Sequence, residues 1–212
     1  ILISPLIILY RILRNKEDSV RFGEKFCFFS KSRKSGKLIW FHASSVGELM
    51  SILPIINYYE NKKNINQILI TSTTLSSAKI LKKIKLKKTI HQFFPLDLIF
   101  FSRIFFNYWK PSMAIFVESE IWPGMYKFIN KRKIPLILLN ARITKKTFNR
   151  WYFFKKYSLS IFKNISASYP QNIETINFFK KLKVKIIKYI GNLKFIGNPY
   201  ENKKEFEKTL KS

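Results

Sequence analysis

The chain has 212 residues and a net charge of +28 at neutral pH, with 40 Lys and Arg against 12 Asp and Glu. This length fits one large α/β domain or two small ones, and a hydrophobic fraction of 47% can fill a core, which argues against wholesale disorder. Because Cys27 is the only cysteine and there are two histidines, the sequence excludes an intrachain disulfide, a cysteine-based metal cage and a histidine-rich metal site. A reduced, cytosol-facing compartment fits this composition.

The positive charge implies an anionic partner, such as nucleic acid, anionic lipid or a phosphorylated substrate. Lys outnumbers Arg by 32 to 8, so coding bias is an alternative source of the excess. The lysines are spread over every predicted helix, whereas a protein that recognises nucleic acid more often concentrates Arg in one patch. We therefore expect no nucleic-acid partner.

The first ten residues are uncharged and precede a basic flank at Arg11, Arg14 and Lys16. Ten residues are too few to span a bilayer, which needs about 20. Since the chain begins with Ile, we expect a piece of a longer protein, in which this stretch ends a membrane anchor or forms an interfacial helix with its flank on the cytoplasmic side. A helix packed on the domain is the alternative. Residues 1–36 thus form a predicted hydrophobic and basic membrane-proximal leader.

From Lys37 onward, apolar runs of strand length alternate with stretches of helical spacing. The predicted strands are 38–41, 68–70, 91–94, 113–117, 136–139 and 165–169, with a weaker one at 184–190. The predicted helices are 49–56, 76–84, 98–108, 123–131, 148–156 and 173–182. Alternating strands and helices indicate a parallel sheet, and continuous apolar runs are typical of strands buried on both faces. The sequence predicts an α/β, Rossmann-like parallel sheet with helices on both faces over residues 37–190.

Polar residues follow each of the first five predicted strands, at 42–48, 71–74, 95–97, 118–120 and 140–142. Parallel strands point one way, so these five stretches, here named the rim, should lie along one edge of the sheet. Open α/β sheets bind ligands at that edge. Four of the 12 acidic residues fall on the rim, namely Glu48, Asp97, Glu118 and Glu120. The rim is the predicted binding site.

Glu48 has two interpretations. Ser45-x-x-Glu48 matches a capping box, in which Ser45 caps a helix and Glu48 reaches back to its amide, a cap worth about 1 kcal/mol. The functional interpretation is a general base that removes a proton from an attacking hydroxyl group, a roughly 10²–10⁴-fold effect. The motif alone leaves both open.

Glu118 and Glu120 are two apart, and in an extended segment such side chains face the same side. Two neighbouring carboxylates raise one pKa and suit acid–base work or the binding of hydroxyl groups. The alternative is that acidic residues are favoured near a helix start, here marked by Pro123.

The other rim residues are less specific. The hydroxyl groups of 71–74 suit either a polar ligand or helix caps, and Asp97 is more typical of an N-cap than of a catalyst. Arg142 suits a carboxylate or phosphate, or a salt bridge to the rim. His42 is more typical of a hydrogen-bonded core histidine. No Asp-x-Asp, Walker loop or Gly-x-Gly-x-x-Gly occurs, so no cradle for nucleotide phosphates is expected in this sequence.

Seven segments, in this order, resemble the amino-terminal half of 3-deoxy-D-manno-octulosonic acid (Kdo) transferases. They are Arg21-Phe22-Gly23, Trp40 to Glu48, Thr71-Ser72-Thr73-Thr74, Pro95-Leu96-Asp97, Glu118-Ser119-Glu120-Ile121-Trp122-Pro123, Asn140-Ala141-Arg142 and Gly191-Asn192-Leu193-Lys194-Phe195. Two departures are Gly124, where Asn is expected, and the loose continuation over 143–147.

The resemblance implies the N-terminal domain of a two-domain GT-B glycosyltransferase that is inverting, metal-independent and free of cofactors. It would move Kdo from CMP-Kdo to a lipid A precursor, in lipopolysaccharide core biosynthesis at the cytoplasmic face of the inner membrane. The chain would bind the acceptor, residues 191–212 would begin the linker to a donor domain outside this sequence, and the fragment alone would be inactive.

In this resemblance Glu48 is the general base and Glu118 a second catalytic carboxylate. The implied substrate-binding residues are Ser44, Ser45, Gly47, Thr71, Thr73, Glu120 and Arg142. An anionic membrane surface would contact basic residues and aromatic pairs such as Phe100-Phe101, Phe105-Phe106, Tyr108-Trp109 and those of 151–154, although core packing is the favoured explanation for each taken singly. The alternative function is a non-catalytic basic α/β module that binds anionic lipid or nucleic acid.

Overall fold

The sheet has six parallel strands in a computed structural model that describes residue 14 and residues 17–193. The strands are β1 Leu38–His42, β2 Gln67–Ser72, β3 Thr89–Phe93, β4 Met113–Val117, β5 Leu136–Ala141 and β6 Ala167–Pro170. Their order is β3-β2-β1-β4-β5-β6, so the chain changes direction of winding between β1 and β4. In an open α/β sheet, ligands bind at the carboxyl ends of the strands beside such a switch point. The predicted Rossmann-like sheet is confirmed.

Seven α-helices connect or follow these strands in the described residues. They are α1 Val46–Glu60, α2 Leu75–Lys83, α3 Ile99–Trp109, α4 Pro123–Lys131, α5 Lys145–Phe153, α6 Lys155–Phe162 and α7 Ile173–Lys181. A 3₁₀ helix, Phe22–Phe26, precedes β1.

Both faces of the sheet are covered, because successive side chains of a strand point to opposite sides. Leu38 and Trp40 pack into one apolar cluster with residues of α3 to α7. Ile39 and Phe41 pack into a second cluster with residues of α1 and α2. All five residues of β1 are buried, which explains why its sequence is a continuous apolar run.

Two predicted elements differ from the structure. The single helix predicted over 148–156 is two helices, because Phe154 leaves helical geometry with φ −98° and ψ 53°. The weak strand predicted over 184–190 makes only a single bridge, between Ser168 and Ile187. Its neighbour β6 ends at Pro170, which has no backbone N–H to extend a ladder of hydrogen bonds.

The described part of the predicted leader packs on the domain. Arg21 Nη2 donates to the carbonyl of His91 at 2.8 Å, and Glu24 Oε2 accepts from the backbone N–H of Phe93 at 2.8 Å, both on the free edge of β3. Cys27 is buried in the core. The domain therefore begins before the predicted boundary at residue 37, while residues 1–13, 15 and 16 lie outside the described part.

The predicted interfacial aromatics divide into two groups. Phe105, Phe106 and Trp109 are fully buried and belong to the core, as the alternative of core packing predicts, so these three do not contact a membrane surface. Phe100 and Phe153 are exposed, at 67% and 81%. Within the described residues, no helix combines the length and the apolar character that crossing a bilayer requires.

Candidate active site

Glu48 lies in the first turn of α1, directly after the carboxyl end of β1. Ser45 is the N-cap, and its hydroxyl accepts from the backbone N–H of Glu48 at 3.3 Å. The Glu48 carboxylate accepts from the Ser45 hydroxyl at 3.0 Å and from the backbone N–H of Ser44 at 2.8 Å. The capping interaction is confirmed, although the amide that Glu48 reaches is that of Ser44 and not that of Ser45.

Burial raises the pKa of Glu48 to about 7, and the negative charges of Glu120 and Glu118 act in the same direction. The hydrogen bonds from Ser44 and Ser45 oppose this shift without cancelling it. A carboxylate with a pKa near neutral pH is matched to general base catalysis, because it is both available unprotonated and basic enough to take a proton.

Glu120 has the opposite electrostatics. Its Oε2 lies 3.0 Å from His42 Nε2 and accepts from Trp122 Nε1 at 2.8 Å. Burial acts to raise the pKa of Glu120, but the interaction with His42 and the hydrogen bonds from Trp122 and Ser44 outweigh it and lower the pKa. Two neighbouring carboxylates with pKa values moved in opposite directions are the arrangement expected of a base beside a fixed negative charge.

The segment that carries Glu118 and Glu120 is a turn, which corrects the extended geometry expected from their spacing. Glu118 has φ 55°, in the left-handed region that costs a non-glycine residue about 1–2 kcal/mol. Its backbone N–H donates to Leu139 at 2.9 Å, and Glu120 N–H returns to Val117 at 3.4 Å. Both carboxylates still act on Glu48, because each raises its pKa through its charge. Strained backbone of this kind occurs preferentially at functional sites.

Ser44 and Thr73 bring the ends of β1 and β2 together, since their hydroxyl oxygens are 2.6 Å apart. Thr71 differs from its predicted role in substrate binding. It is fully buried, and its Oγ1 accepts from Trp40 Nε1 at 2.9 Å and lies 3.0 Å from His42 Nδ1. Thr71 is therefore a buried neighbour of His42 and helps to fix the position of the imidazole ring.

The remaining predicted residues lie at the margins of this group. Gly47 is exposed in the first turn of α1. Arg142 is exposed too, and its carbonyl accepts from the Ser119 hydroxyl at 2.8 Å. Among the salt bridges of residues 17–193, none joins the Arg142 guanidinium to Glu48, Asp97 or Glu120.

Asp97 has a structural role. Its carboxylate accepts from the backbone N–H groups of Gly124 at 2.9 Å and Met125 at 2.7 Å, so it caps α4 and not the helix that follows it in the chain. A Cβ at Gly124 would lie 2.5 Å from Asp97 Oδ1. A larger side chain at position 124 would therefore require the Asp97 carboxylate to move.

Sequence reasoning missed the link from His42 to the rim. The prediction of a hydrogen-bonded core histidine is confirmed, because the side chain is fully buried and its ring stacks on Phe94 at 4.0 Å between centroids. The same side chain also contacts Glu120, 78 residues away. Its place at the end of β1 was the available signal, since the ends of β1 and β4 are neighbours only in the folded sheet.

A cavity of about 660 Å³ lies between residues 18–31, α2 and β3. None of the predicted site residues lines it. Within the described residues, no group of three or more His, Cys, Asp and Glu side chains could hold a metal ion.

Comparison with known proteins supports the resemblance. The model of the 3-deoxy-D-manno-octulosonic-acid transferase (Kdo transferase) family matches residues 20–196. The chain is 38% identical over 190 residues to a 3-deoxy-D-manno-octulosonic acid transferase of Rickettsia bellii, covering 90% of this chain and 45% of that protein. It is 36% identical over 205 residues to a probable mitochondrial 3-deoxy-D-manno-octulosonic acid transferase of Arabidopsis thaliana, covering 93% and 46%. The chain thus spans about half the length of these relatives.

Among solved structures, UDP-N-acetylglucosamine 2-epimerase from Rickettsia bellii matches with a TM-score of 0.52 and 14% identity, covering 84% of this chain and 50% of that chain. At this identity the likeness concerns the fold, that of a Rossmann-like N-terminal domain of the GT-B architecture. By sequence, the chain belongs to the Kdo transferase family of glycosyltransferases of lipopolysaccharide biosynthesis.

Proposed function

We propose that this chain is the acceptor-binding half of an enzyme that transfers Kdo from CMP-Kdo to a lipid A precursor, with Glu48 as the general base. The observation that carries the proposal is the pairing of Glu48, whose pKa is raised to about 7, with Glu120, whose pKa is lowered. The pair lies at the switch point of the sheet, where open α/β folds bind ligands.

In the proposed reaction, Glu48 takes the proton from a glucosamine hydroxyl group of the acceptor. The hydroxyl oxygen forms a bond to the anomeric carbon of Kdo from the side opposite the phosphate, and the bond from that carbon to the phosphate oxygen breaks. CMP leaves with the electron pair, so the configuration inverts. The proton remains on Glu48 until solvent removes it. No metal ion takes part.

The neighbouring residues have proposed roles that follow from their positions. Glu118 is a second carboxylate at the reacting centre, and Glu120, Ser44 and Thr73 bind hydroxyl groups of the acceptor sugar. The first turn of α1, with Ser45 and Gly47, supplies polar groups at a helix N-terminus, where anionic groups are stabilised. The exposed guanidinium of Arg142 binds a phosphate or carboxylate of the substrates.

The proposed setting is the cytoplasmic face of the inner membrane. CMP-Kdo would be bound by the rest of the protein, beyond the half of the relatives' length that this chain spans. The basic surface and exposed aromatics such as Phe100 and Phe153 support contact with an anionic lipid surface, because cationic and aromatic side chains favour the headgroup region.

The test is Glu48→Gln in the full-length enzyme. Gln still accepts from the Ser44 amide, so the fold should survive, whereas an amide cannot take the proton. We expect transfer from CMP-Kdo to fall by roughly 10²–10⁴-fold, measured as kcat.

The matched control is Glu60→Gln at the other end of α1, where the carboxylate accepts from the N–H groups of Lys87 and Lys88 at 3.0 Å, away from the rim. This variant should retain near-normal transfer. If Glu48→Gln also retained it, Glu48 would not be the base.

A further inference from the structure

His42 connects the core to the acidic rim. Its ring is fully buried, stacked on Phe94 and flanked by Phe116 at 5.1 Å between centroids. Nδ1 lies 3.0 Å from Thr71 Oγ1, and Nε2 lies 3.0 Å from Glu120 Oε2. Aromatic walls and polar partners at both nitrogens leave the ring a single orientation.

The hydrogen bonds around this ring have a defined direction. An indole N–H can only donate, so Trp40 donates to Thr71 Oγ1 at 2.9 Å and Trp122 donates to Glu120 Oε2 at 2.8 Å. His42 Nδ1 has two neighbours on Thr71, the carbonyl oxygen at 3.1 Å, which can only accept, and Oγ1 at 3.0 Å. The neighbour of Nε2 is the carboxylate of Glu120, and an ionised carboxylate can only accept, so Nε2 carries a hydrogen and donates it to Oε2.

Two donors therefore meet at one oxygen of Glu120. Because His42 and Trp122 both bond to Oε2, the carboxylate cannot rotate without losing both hydrogen bonds. The Glu120 side chain retains 17% exposure, so the fixed carboxylate is still accessible from outside. The Ser44 hydroxyl, which also bonds this carboxylate, belongs to the same turn as Glu48.

We propose that His42 is a positioning residue, whose Nε2–H fixes Glu120 so that this carboxylate accepts a hydrogen bond from the acceptor sugar beside Glu48. The inference rests on the proposed function, because it assigns the acceptor sugar to the rim. His42 itself is buried and touches no substrate.

The first test determines by NMR whether Nε2 of His42 carries a hydrogen. The chain has two histidines, His42 and His91, so long-range ¹H–¹⁵N NMR spectra of the 212-residue chain contain two ring systems, assigned with the His91→Gln variant. Arg21 can only donate to His91 Nδ1, at 3.1 Å, which makes His91 an internal reference for a ring with its hydrogen on Nε2. We expect His42 Nε2 to carry a hydrogen as well. A His42 ring with a bare Nε2 would overturn the proposal.

The second test compares His42→Gln and His42→Phe in the full-length enzyme. Gln places an amide donor near the position of Nε2, whereas Phe keeps the aromatic packing without a donor. Losing a hydrogen bond to a charged group should raise KM for the lipid acceptor roughly tenfold to hundredfold in His42→Phe, with KM for CMP-Kdo unchanged. His42→Gln should restore acceptor KM in large part.

Equal defects in the two variants, or equal changes in both KM values, would indicate a purely structural role and would contradict the proposal. Its failure is distinguishable from that of the proposed function. Near-normal transfer by Glu48→Gln would remove the base assignment, whereas the position of the His42 hydrogen is measured independently of any reaction.

Discussion

The molecule contains two histidines, the buried His42 and the partly buried His91, each hydrogen-bonded to a hydroxyl group of β2. At the rim, His42 contacts Thr71 and Glu120. At the edge of β3, His91 contacts Ser72, and Arg21 lies between His91 and Glu24.

Glu24 and Glu120 differ in how much of each carboxylate is accessible to a ligand. Glu24 is 1% exposed and is occupied by Arg21, by the Phe93 amide and by the Ser30 hydroxyl, so this group fastens the N-terminal segment to the sheet. The Glu120 side chain is 17% exposed; His42 and Trp122 bond to its Oε2, and the Ser44 hydroxyl also bonds to its carboxylate. Similar residue types thus form two different groups. The group of Arg21, Glu24, Ser72 and His91, here named the clasp, is structural, whereas the group around His42 and Glu120 is part of the candidate site. The exposure of the glutamate to solvent distinguishes the two groups.

The largest expected effect on stability is at the clasp. Arg21→Leu removes the ion pair of 2.9 Å and leaves the Glu24 carboxylate buried without its cation. We expect the free energy of unfolding to fall by about 3 kcal/mol, near the lower limit for a broken buried pair because Arg21 is partly exposed. Urea denaturation measures this value.

Arg103→Leu on the exposed side of α3 is the control for Arg21→Leu, and should change stability by less than about 0.5 kcal/mol. An Arg21→Leu variant as stable as this control would show that the 3₁₀ segment is not held by the clasp.

The second prediction uses the stability contributions of Glu48 and His91, which depend on pH in opposite directions. The pKa of Glu48 is raised to about 7 from 4.5, so its contribution is present below pH 4.5 and is lost as pH rises through 7. Burial and the charge of Arg21 lower the pKa of His91 to about 3 from 6.5, so its contribution is present above pH 6.5 and is lost as pH falls towards 3.

The stability difference between the parent chain and Glu48→Gln should therefore change by roughly 3 kcal/mol between pH 4.5 and 7. The difference between the parent and His91→Gln should change in the opposite direction on acidification. Chemical denaturation at a series of pH values measures both curves. A flat difference curve for Glu48→Gln would contradict a raised pKa.

The smallest expected effect separates Asp97 from the other rim carboxylates. In Gly124→Ala the new Cβ would lie 2.5 Å from Asp97 Oδ1, and the Asp97 carboxylate can move away only by giving up the two amides that it caps. We expect a loss of about 2 kcal/mol.

Gly23→Ala is the matched control for Gly124→Ala, because its Cβ would have its nearest contact at an ordinary 3.5 Å, and its stability should be nearly unchanged. Thermal unfolding compares the two variants. Equal melting temperatures would show that Asp97 moves freely, as a ligand-binding carboxylate could.

The sheet, the parallel orientation of its strands and the rim could be predicted from the sequence. Buried strands appear in it as continuous apolar runs, and polar residues follow these runs directly. The Ser45–Glu48 cap was readable too, since its partners are three residues apart. The break at Phe154 was not, because an aromatic residue in an otherwise helical pattern gives no local signal of a changed ψ.

Contacts between residues far apart in the chain could not be predicted from the sequence, for a different reason. The bond from His42 to Glu120 spans 78 residues, and the caps from Asp97 to Gly124 and Met125 span 27 and 28. These pairs depend on the order of the strands in the sheet, which the sequence of a single chain does not specify. The turn at Glu118 was also hidden, because a left-handed conformation of a glutamate has no signature in the sequence.

Thr71 and Ser72 are consecutive residues of β2 that point to opposite sides of the sheet, one towards His42 and the other towards His91. A displacement of β2 by one position would exchange these two hydroxyl groups between the faces, so that both histidines would lose their partners together. The strand thereby couples the attachment of the N-terminal segment to the alignment of the candidate site, and an insertion or deletion of one residue within it would disable both at once.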